Sequence, residues 1–315
     1  MAETPLDLII DADPGIDDAC ALLAALASPR LRVRAVIASG GNVQAAQALL
    51  NVRRVLAVAQ PEEVPLLGLG LDPPGKGLEA THIHGPDGLG EAPVAPLDIQ
   101  ALDACEAVRR ALRQCRGEVA LLALAPLTTV RFLLAEVPEL RARLKQAVVM
   151  GGAVGVPGNV TPVAEFNFWR DPEAASALLH LRLPISLVPL NVTERWEVTA
   201  HTLRNHVRGR SRRAAFLRHV LGYAIQSHLV VVGRGALVHD AVALAGLLRP
   251  RLFRWRPLYL DVESRGTLTR GMVVADMRQP YGKPLKSDPQ REPNARVAVG
   301  MQVRAVADCL WGLLR

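Results

Sequence analysis

The sequence predicts an α/β fold built on an open, mostly parallel sheet with an antiparallel edge and helices on both faces. Three observations carry that expectation. A short apolar run at residues 6–10 is broken by Pro14-Gly15 and passes into helical spacing at Ile16, Cys20, Leu23 and Ala27. Strand-like apolar runs then keep alternating with helical patterns, as in βαβ units of a parallel sheet. With 315 residues, 50% of them hydrophobic, the chain can bury a core for one large domain or two smaller ones. No linker or internal repeat divides it, so residues 1–315 read as a single domain.

After the first strand and helix, residues 31–39 (LRVRAVIAS) read as a second strand running into Gly40-Gly41-Asn42, with a helix from about 45 to 59. Residues 68–96 are rich in Gly and Pro, lack periodicity and contain His82-Ile83-His84-Gly85. A loop of that length is usually functional or mobile, although two histidines so spaced are more often a surface pair. Residues 98–115 read as a helix, 118–125 as a buried strand, 127–135 as a helix, and 146–150 as a strand entering Gly151-Gly152. Residues 155–167 are irregular and polar-tipped. Asp171 then caps a helix that has Pro172 in its first turn. Residues 184–190 form the next strand, and 199–229 read as helical throughout. Val238-His239-Asp240-Ala241 opens a further apolar helix. Residues 258–277 alternate around Gly266 and Gly271 as a hairpin or edge strands. A strand near 297–303 and a last helix with Trp311 close the chain.

The first strand-to-helix turn concentrates the chemistry. Asp11, Asp13, Asp17 and Asp18 crowd there, at the end of a strand where open α/β sheets bind ligands. Four like charges so close call for a positive partner, and a hard divalent cation with oxygen ligands is the economical answer. The local alternative is that one or two of these acids only cap the helix and complement its dipole. Asn42 brings an amide that donates and accepts near the acids, although after two glycines it also fits a plain turn. Asn159, Glu165 and Asn167 are the kind of hydrogen-bonding groups that grip sugar hydroxyls. Asp240, taken alone, reads as a helix cap.

Composition narrows the class of function. The formal charge of +7 comes mostly from scattered arginines. Only residues 208–213 (RGRSRR) cluster, and they read as a solvated helix end rather than a nucleic-acid site. Aromatic residues make up 4%, too few for a base-stacking groove. Cys20, Cys105, Cys115 and Cys309 form no CxxC pair, which suits reduced thiols in a cytoplasmic protein. The start of the chain lacks the basic and long apolar regions of a signal peptide. No run approaches about 18 uncharged apolar residues, so no membrane span is expected.

Taken together, these residues resemble the nucleoside hydrolases, the inosine-uridine preferring N-ribohydrolase family. The resemblance runs nearly end to end. It rests on DADPGIDDA at 11–19, GGN at 40–42, HIHG at 82–85, MGG at 150–152, GN at 158–159, VAEFN at 163–167 and VHDA at 238–241. It implies a Rossmann-like sheet and hydrolysis of the N-glycosidic bond of purine or pyrimidine ribonucleosides to free base and ribose. Asp13, Asp18 and Asp240, with the main-chain carbonyl of Leu124, are implied as ligands of one Ca²⁺. Asp13 would also grip a hydroxyl. Asp17 is implied as the general base, and His239 as the acid that protonates the leaving base, with a pKa near neutrality. Asn42, Met150, Asn159, Glu165 and Asn167 would line the ribose pocket. His84 and His239 would flank the base, Phe166 would be a wall, and Tyr223 is the one aromatic left on the base side. Asp11 is implied in a supporting role, orienting the loop. Members of the family are usually homodimers or homotetramers.

Some positions depart from the family pattern. Asn191 stands where Asp is general. Residues 226–232, from Gln226-Ser227-His228 onward, lack the aromatic and polar groups that contact the base, which leaves base preference open. Two rival classes fit part of the sequence. Asp11-x-Asp13 also opens Asp-nucleophile phosphatases, but Pro-Gly-Ile-Asp-Asp follows here instead of a Gly-Thr or similar pair. A non-catalytic, Ca²⁺-dependent ribose or nucleoside binder would not need Asp17 and His239.

Overall fold

The computed structural model describes residues 4–75, 79–278 and 292–315. Residues 1–3 of the amino-terminal stretch and 76–78 of the Gly/Pro-rich stretch lie outside the described residues.

The chain opens with β1 (Leu6–Ala12), α1 (Ile16–Ala27), β2 (Leu31–Ala38), α2 (Ala45–Ala59), β3 (Leu66–Leu69), α3 (Thr81–His84), β4 (Leu102–Asp103) and α4 (Ala104–Gln114). It continues through β5 (Val119–Ala123), α5 (Thr128–Glu136), α6 (Pro138–Arg143), β6 (Leu144–Met150), α7 (Phe166–Arg170), α8 (Pro172–His180) and β7 (Ile185–Val188). Then come α9 (Leu190–Thr193), β8 (Glu197–Val198), α10 (Ala200–His206), α11 (Arg212–Val231), β9 (Ala236–Leu237) and α12 (His239–Leu248). The last elements are β10 (Phe253–Leu258), β11 (Leu260–Val262), β12 (Val273–Ala275), β13 (Ala295–Met301) and α13 (Val303–Leu314).

Nine strands form one sheet in the order β10-β13-β7-β6-β5-β1-β2-β3-β4. Every pairing is parallel except that of β10 with β13, which supplies the antiparallel edge. Alternation along each strand sends side chains to opposite faces. In β1, Leu8, Ile10 and Ala12 join the core under α1, α2, α11, α12 and α13, while Ile9 joins the core under α4, α5 and α8. Two buried layers explain why the strands read as continuous apolar runs. Each buried Leu or Ile contributes roughly 1.5–3 kcal/mol. α1 is buried from Ile16 to Ala25 because α2, α12 and α13 surround it.

The chain leaves β1 toward β2 and β3 on one side and returns to β5 and β6 on the other. The crevice at such a reversal of strand order is where open α/β sheets take ligands. Asp11 stands there in β1, paired with Ile37 of β2 and Ala123 of β5.

Several expected boundaries move. The helix expected over 98–115 begins at Ala104, because Asp103 caps it by accepting from Glu106 N. The helix expected over 199–229 is two helices: Gly209, at φ +86°, breaks it, and Ser211 caps α11 through Ala214 N. The basic run therefore lies at that joint, where Arg212 donates to Ala57 O and Arg213 to Leu313 O. The edge of the main sheet is β10, ahead of the 258–277 segment, which forms the antiparallel pair β11–β12, the hairpin of the two alternatives. The four cysteines are free. Among the described residues, no helix is long and apolar enough to cross a membrane.

Candidate active site

Asp11 is the penultimate residue of β1, Asp13 lies in the turn, and Asp17 and Asp18 occupy the first turn of α1, all four buried. Asp18 ties the turn together. Its Oδ1 accepts from Asp13 N at 3.3 Å, and its Oδ2 from Gly15 N at 3.1 Å and Asn42 Nδ2 at 3.2 Å. Asp13 Oδ2 accepts from Asn42 N at 2.6 Å. Two glycines make this closeness feasible. A Cβ on Gly15 would lie 2.8 Å from Asn42 Nδ2 and 2.9 Å from His84 Nδ1, and one on Gly41 would overlap Asp13 Oδ2. Asp11 stands behind the turn, accepting from the Ser39 hydroxyl at 2.5 Å.

Asp240, in the first turn of α12, completes a triad: one oxygen from each of Asp17, Asp18 and Asp240 lies within 4.8 Å of the others. Burial, then the neighbouring acids, push Asp18 up to about 7 and Asp13 and Asp240 well above the ordinary carboxylate range. Asp13 Oδ1 and Asp17 Oδ1 are buried with no hydrogen-bond partner among the described residues. Carboxylates in this state are short of positive charge, and an oxygen-preferring cation supplies it. The donor set thus fits a metal. The triad includes Asp17, which the sequence reading placed outside the ligand set, and Asp13 is held by Asn42 N. The Leu124 carbonyl accepts from Asn167 Nδ2 at 2.6 Å and keeps a second lone pair.

A cavity of about 390 Å³ opens above the triad, with Asp17, Asn42, Leu124 and Asp240 at its acidic end. Met150, Asn159, Glu165, Phe166 and Asn167 form one wall, so the residues matched to the ribose pocket come together. Glu165 caps α7. Its carboxylate takes Asn167 N at 2.9 Å, Phe168 N at 3.2 Å and Gly152 N at 2.7 Å, tying the start of α7 to the turn after β6. Burial nonetheless pushes it up to about 7. Asn159 Oδ1 accepts from Phe166 N at 2.9 Å, which orients both residues of that wall. A larger groove of about 770 Å³ opens at the opposite ends of the strands and contains none of these residues.

Two histidines face the triad. His84 Nδ1 accepts from Ile16 N at 3.1 Å, so its proton sits on Nε2, 3.9 Å from Asp17 Oδ1. His239 shares a hydrogen bond between Nδ1 and Thr193 Oγ1 at 2.8 Å. The expected pKa near neutrality is corrected here: burial pushes His239 down to about 4, against a smaller upward pull from Asp17. Its ring is neutral at physiological pH.

Tyr223 is also corrected. It does not line the cavity and packs against Gly85 and Gly90 instead. Five residues on, about 140° round the helix, His228 takes the inward face with Val231 and Val232 beyond it. The sequence reading missed His228 and Glu194 as lining residues. The usable signal was His228 falling in step with Leu217, Leu221, Ala224 and Ile225 on the apolar face of α11. Ser227 donates to Ile83 O at 2.8 Å, joining α11 to α3. Asn191 does not line the cavity; it ties α9 to β13 by donating to Ala298 O at 3.1 Å.

Comparison with known proteins places this architecture. Residues 8–308 match the family model described as inosine-uridine preferring nucleoside hydrolase. The chain is 34% identical over 311 residues to the pyrimidine-specific ribonucleoside hydrolase RihA of Salmonella paratyphi A, covering 97% of each chain. It is 35% identical over 308 residues to RihA of Shewanella sp. (strain MR-7), covering 96% of this chain and 94% of that one. Among solved structures, the plant nucleoside hydrolase PpNRh1 superposes with a TM-score of 0.87 at 28% identity, covering 99% of both chains. An α/β sheet with a carboxylate-floored, histidine-flanked cavity at its switch point is that of a nucleoside N-ribohydrolase. The chain belongs to the inosine-uridine preferring nucleoside hydrolase family.

Proposed function

We propose that this chain, acting as one domain, hydrolyses the N-glycosidic bond of pyrimidine ribonucleosides with Ca²⁺ as its cofactor. The pyrimidine preference is supported by the RihA relatives, which are named for it. Asp13, Asp18 and Asp240 and the Leu124 carbonyl would hold the cation, with Asp17 at its edge. When bound, the cation orients neighbouring sugar hydroxyls and makes a nearby water more acidic.

The chain's own groups do the rest. Asn42, Asn159 and Asn167 hold the ribose hydroxyls against the wall formed by Met150 and Phe166. Asp17 takes a proton from the water that attacks C1′, while nearby carboxylates stabilise the oxocarbenium-like sugar. His84, its Nε2 proton facing Asp17, keeps that carboxylate aimed. His239 donates to the departing base. Because the ring is neutral near pH 7, its charged form is a small fraction, so this donation is stronger toward acid pH.

The observation that carries this reading is Asp17, whose side chain lines the cavity while its buried Oδ1 has no hydrogen-bond partner among the described residues. The test is a panel of ribonucleosides and deoxyribonucleosides assayed for free sugar, in chelator and after Ca²⁺ is added back. Uridine or cytidine should release ribose only with Ca²⁺. Binding without products would favour the sensor reading, and phosphate release without ribose the phosphatase reading.

A further inference from the structure

The cavity lining mixes imidazoles, His82, His84, His228 and His239, with apolar side chains. Ile83, Leu237, Val231 and Val232 supply apolar surface there. Glu194 also reaches it, but its carboxylate is paired with Arg234 at 3.8 Å. Of the imidazoles, His228 is 6% exposed and set on the inward face of α11.

Its hydrogen bonding fixes its chemistry. Nδ1 lies 2.9 Å from Ala224 O, and a carbonyl can only accept, so the ring proton is on Nδ1. Nε2 then carries a bare lone pair. It has no hydrogen-bond partner among the described residues and is not sealed in the interior, and the ring that carries it lines the cavity. Burial lowers the affinity of the ring for a second proton, which keeps Nε2 an acceptor. An unpaired acceptor in the wall of a cavity favours a ligand that brings a donor, because a ligand without one leaves that nitrogen unbonded.

We propose that His228 is a specificity-determining residue whose Nε2 accepts a hydrogen bond from the base, from N3–H in the case of uracil. This inference rests on the nucleoside hydrolase reading above and names the edge of the substrate that the site inspects. The selected class is ribonucleosides whose base presents an N–H on the edge remote from the sugar. Ser227 supports the geometry: its bond to Ile83 O holds α11 against α3, and so holds the ring over the cavity.

The test compares kcat/KM for uridine and 3-methyluridine, in which N3–H is replaced by N-methyl, in the Ca²⁺-loaded wild-type enzyme and in two variants. The wild type should prefer uridine by about tenfold to a hundredfold, the range for leaving a buried acceptor unpaired. In His228→Leu the preference should shrink severalfold, and in His228→Gln, which keeps an acceptor, most of it should return. His228→Phe repeats the comparison with a ring that lacks the acceptor, in case the leucine variant does not fold. A wild-type preference of less than about threefold overturns the proposal. So does an undiminished preference in either apolar variant. Failure of the underlying reading looks different: no ribose is released from any riboside, and no ratio can be formed.

Discussion

His84 accepts the backbone N–H of Ile16 through Nδ1 at 3.1 Å and thereby presents the Nε2 proton toward Asp17, 3.9 Å away. One imidazole thus fastens the start of α1 and faces the carboxylate of the very next residue. The two tasks separate by mutation. In His84→Ala the Ile16 N–H loses its partner at about 1–3 kcal/mol, so the melting temperature should fall by roughly 2–8 °C. His84→Gln, whose amide oxygen can still accept, should recover most of that temperature but little of the lost turnover. Thermal melts beside ribose-release kinetics distinguish the two effects.

Asp17 and Asp240 share the triad, and substitution should separate their roles. Asp17→Asn should lower kcat by about a thousandfold or more while Ca²⁺ affinity, read by titration calorimetry, changes by less than about tenfold. Asp240→Asn should do the reverse to affinity, weakening it by about a hundredfold. If both variants lose the cation equally, Asp17 is a ligand before it is a base.

The buried acids set an unusual pH dependence. Asp11, Asp18 and Glu165 are each raised to about 7 by burial, above ordinary values of 3.8, 3.8 and 4.5. A raised folded-state value means that the folded chain binds more protons than the unfolded one between those limits. The contribution of these groups is therefore complete below about pH 4 and disappears as pH rises through 7. In chelator, the denaturation midpoint should fall between pH 5 and pH 8. Added Ca²⁺ should raise it far more at pH 8, because ligation needs the ionised carboxylates. A chelated midpoint that rises over this interval contradicts the assignment.

His239→Ala should reduce turnover of uridine far more than that of a nitrophenyl riboside, whose leaving group departs without a proton. Equal losses on the two substrates would remove the donor role. The uridine rate of the wild type, measured as kcat with Ca²⁺ saturating, should rise from pH 8 toward pH 6, since the ring titrates near 4.

The acidic turn was legible because three signals meet within residues 6–27: an apolar strand, a Pro-Gly break and a helical period, with carboxylates at the junction. The long parallel strands were legible for a related reason, being buried on both faces. β3 and β4, of four and two residues, are too short to show a period, and β3 runs into the Gly/Pro-rich segment. β10 carries the exposed Arg254, Arg256 and Pro257, as an edge strand can, and so lacked the apolar run of its neighbours. In the site, residues brought by motifs beside glycine were found. His228 was not, because a histidine on an apolar helix face looks like any satisfied core histidine until the cavity beside it is seen. His239 was found, but the depth of its burial, which sets its acidity, is a property of packing that no short motif encodes.

Asp18 and Asp240 meet although roughly 220 residues of chain separate them, and the helices that carry them, α1 and α12, pack side by side. A cation gripping both would act as a clasp on a loop of that length. Its grip belongs to the finished structure, so Ca²⁺ should slow unfolding markedly while leaving the refolding rate almost untouched.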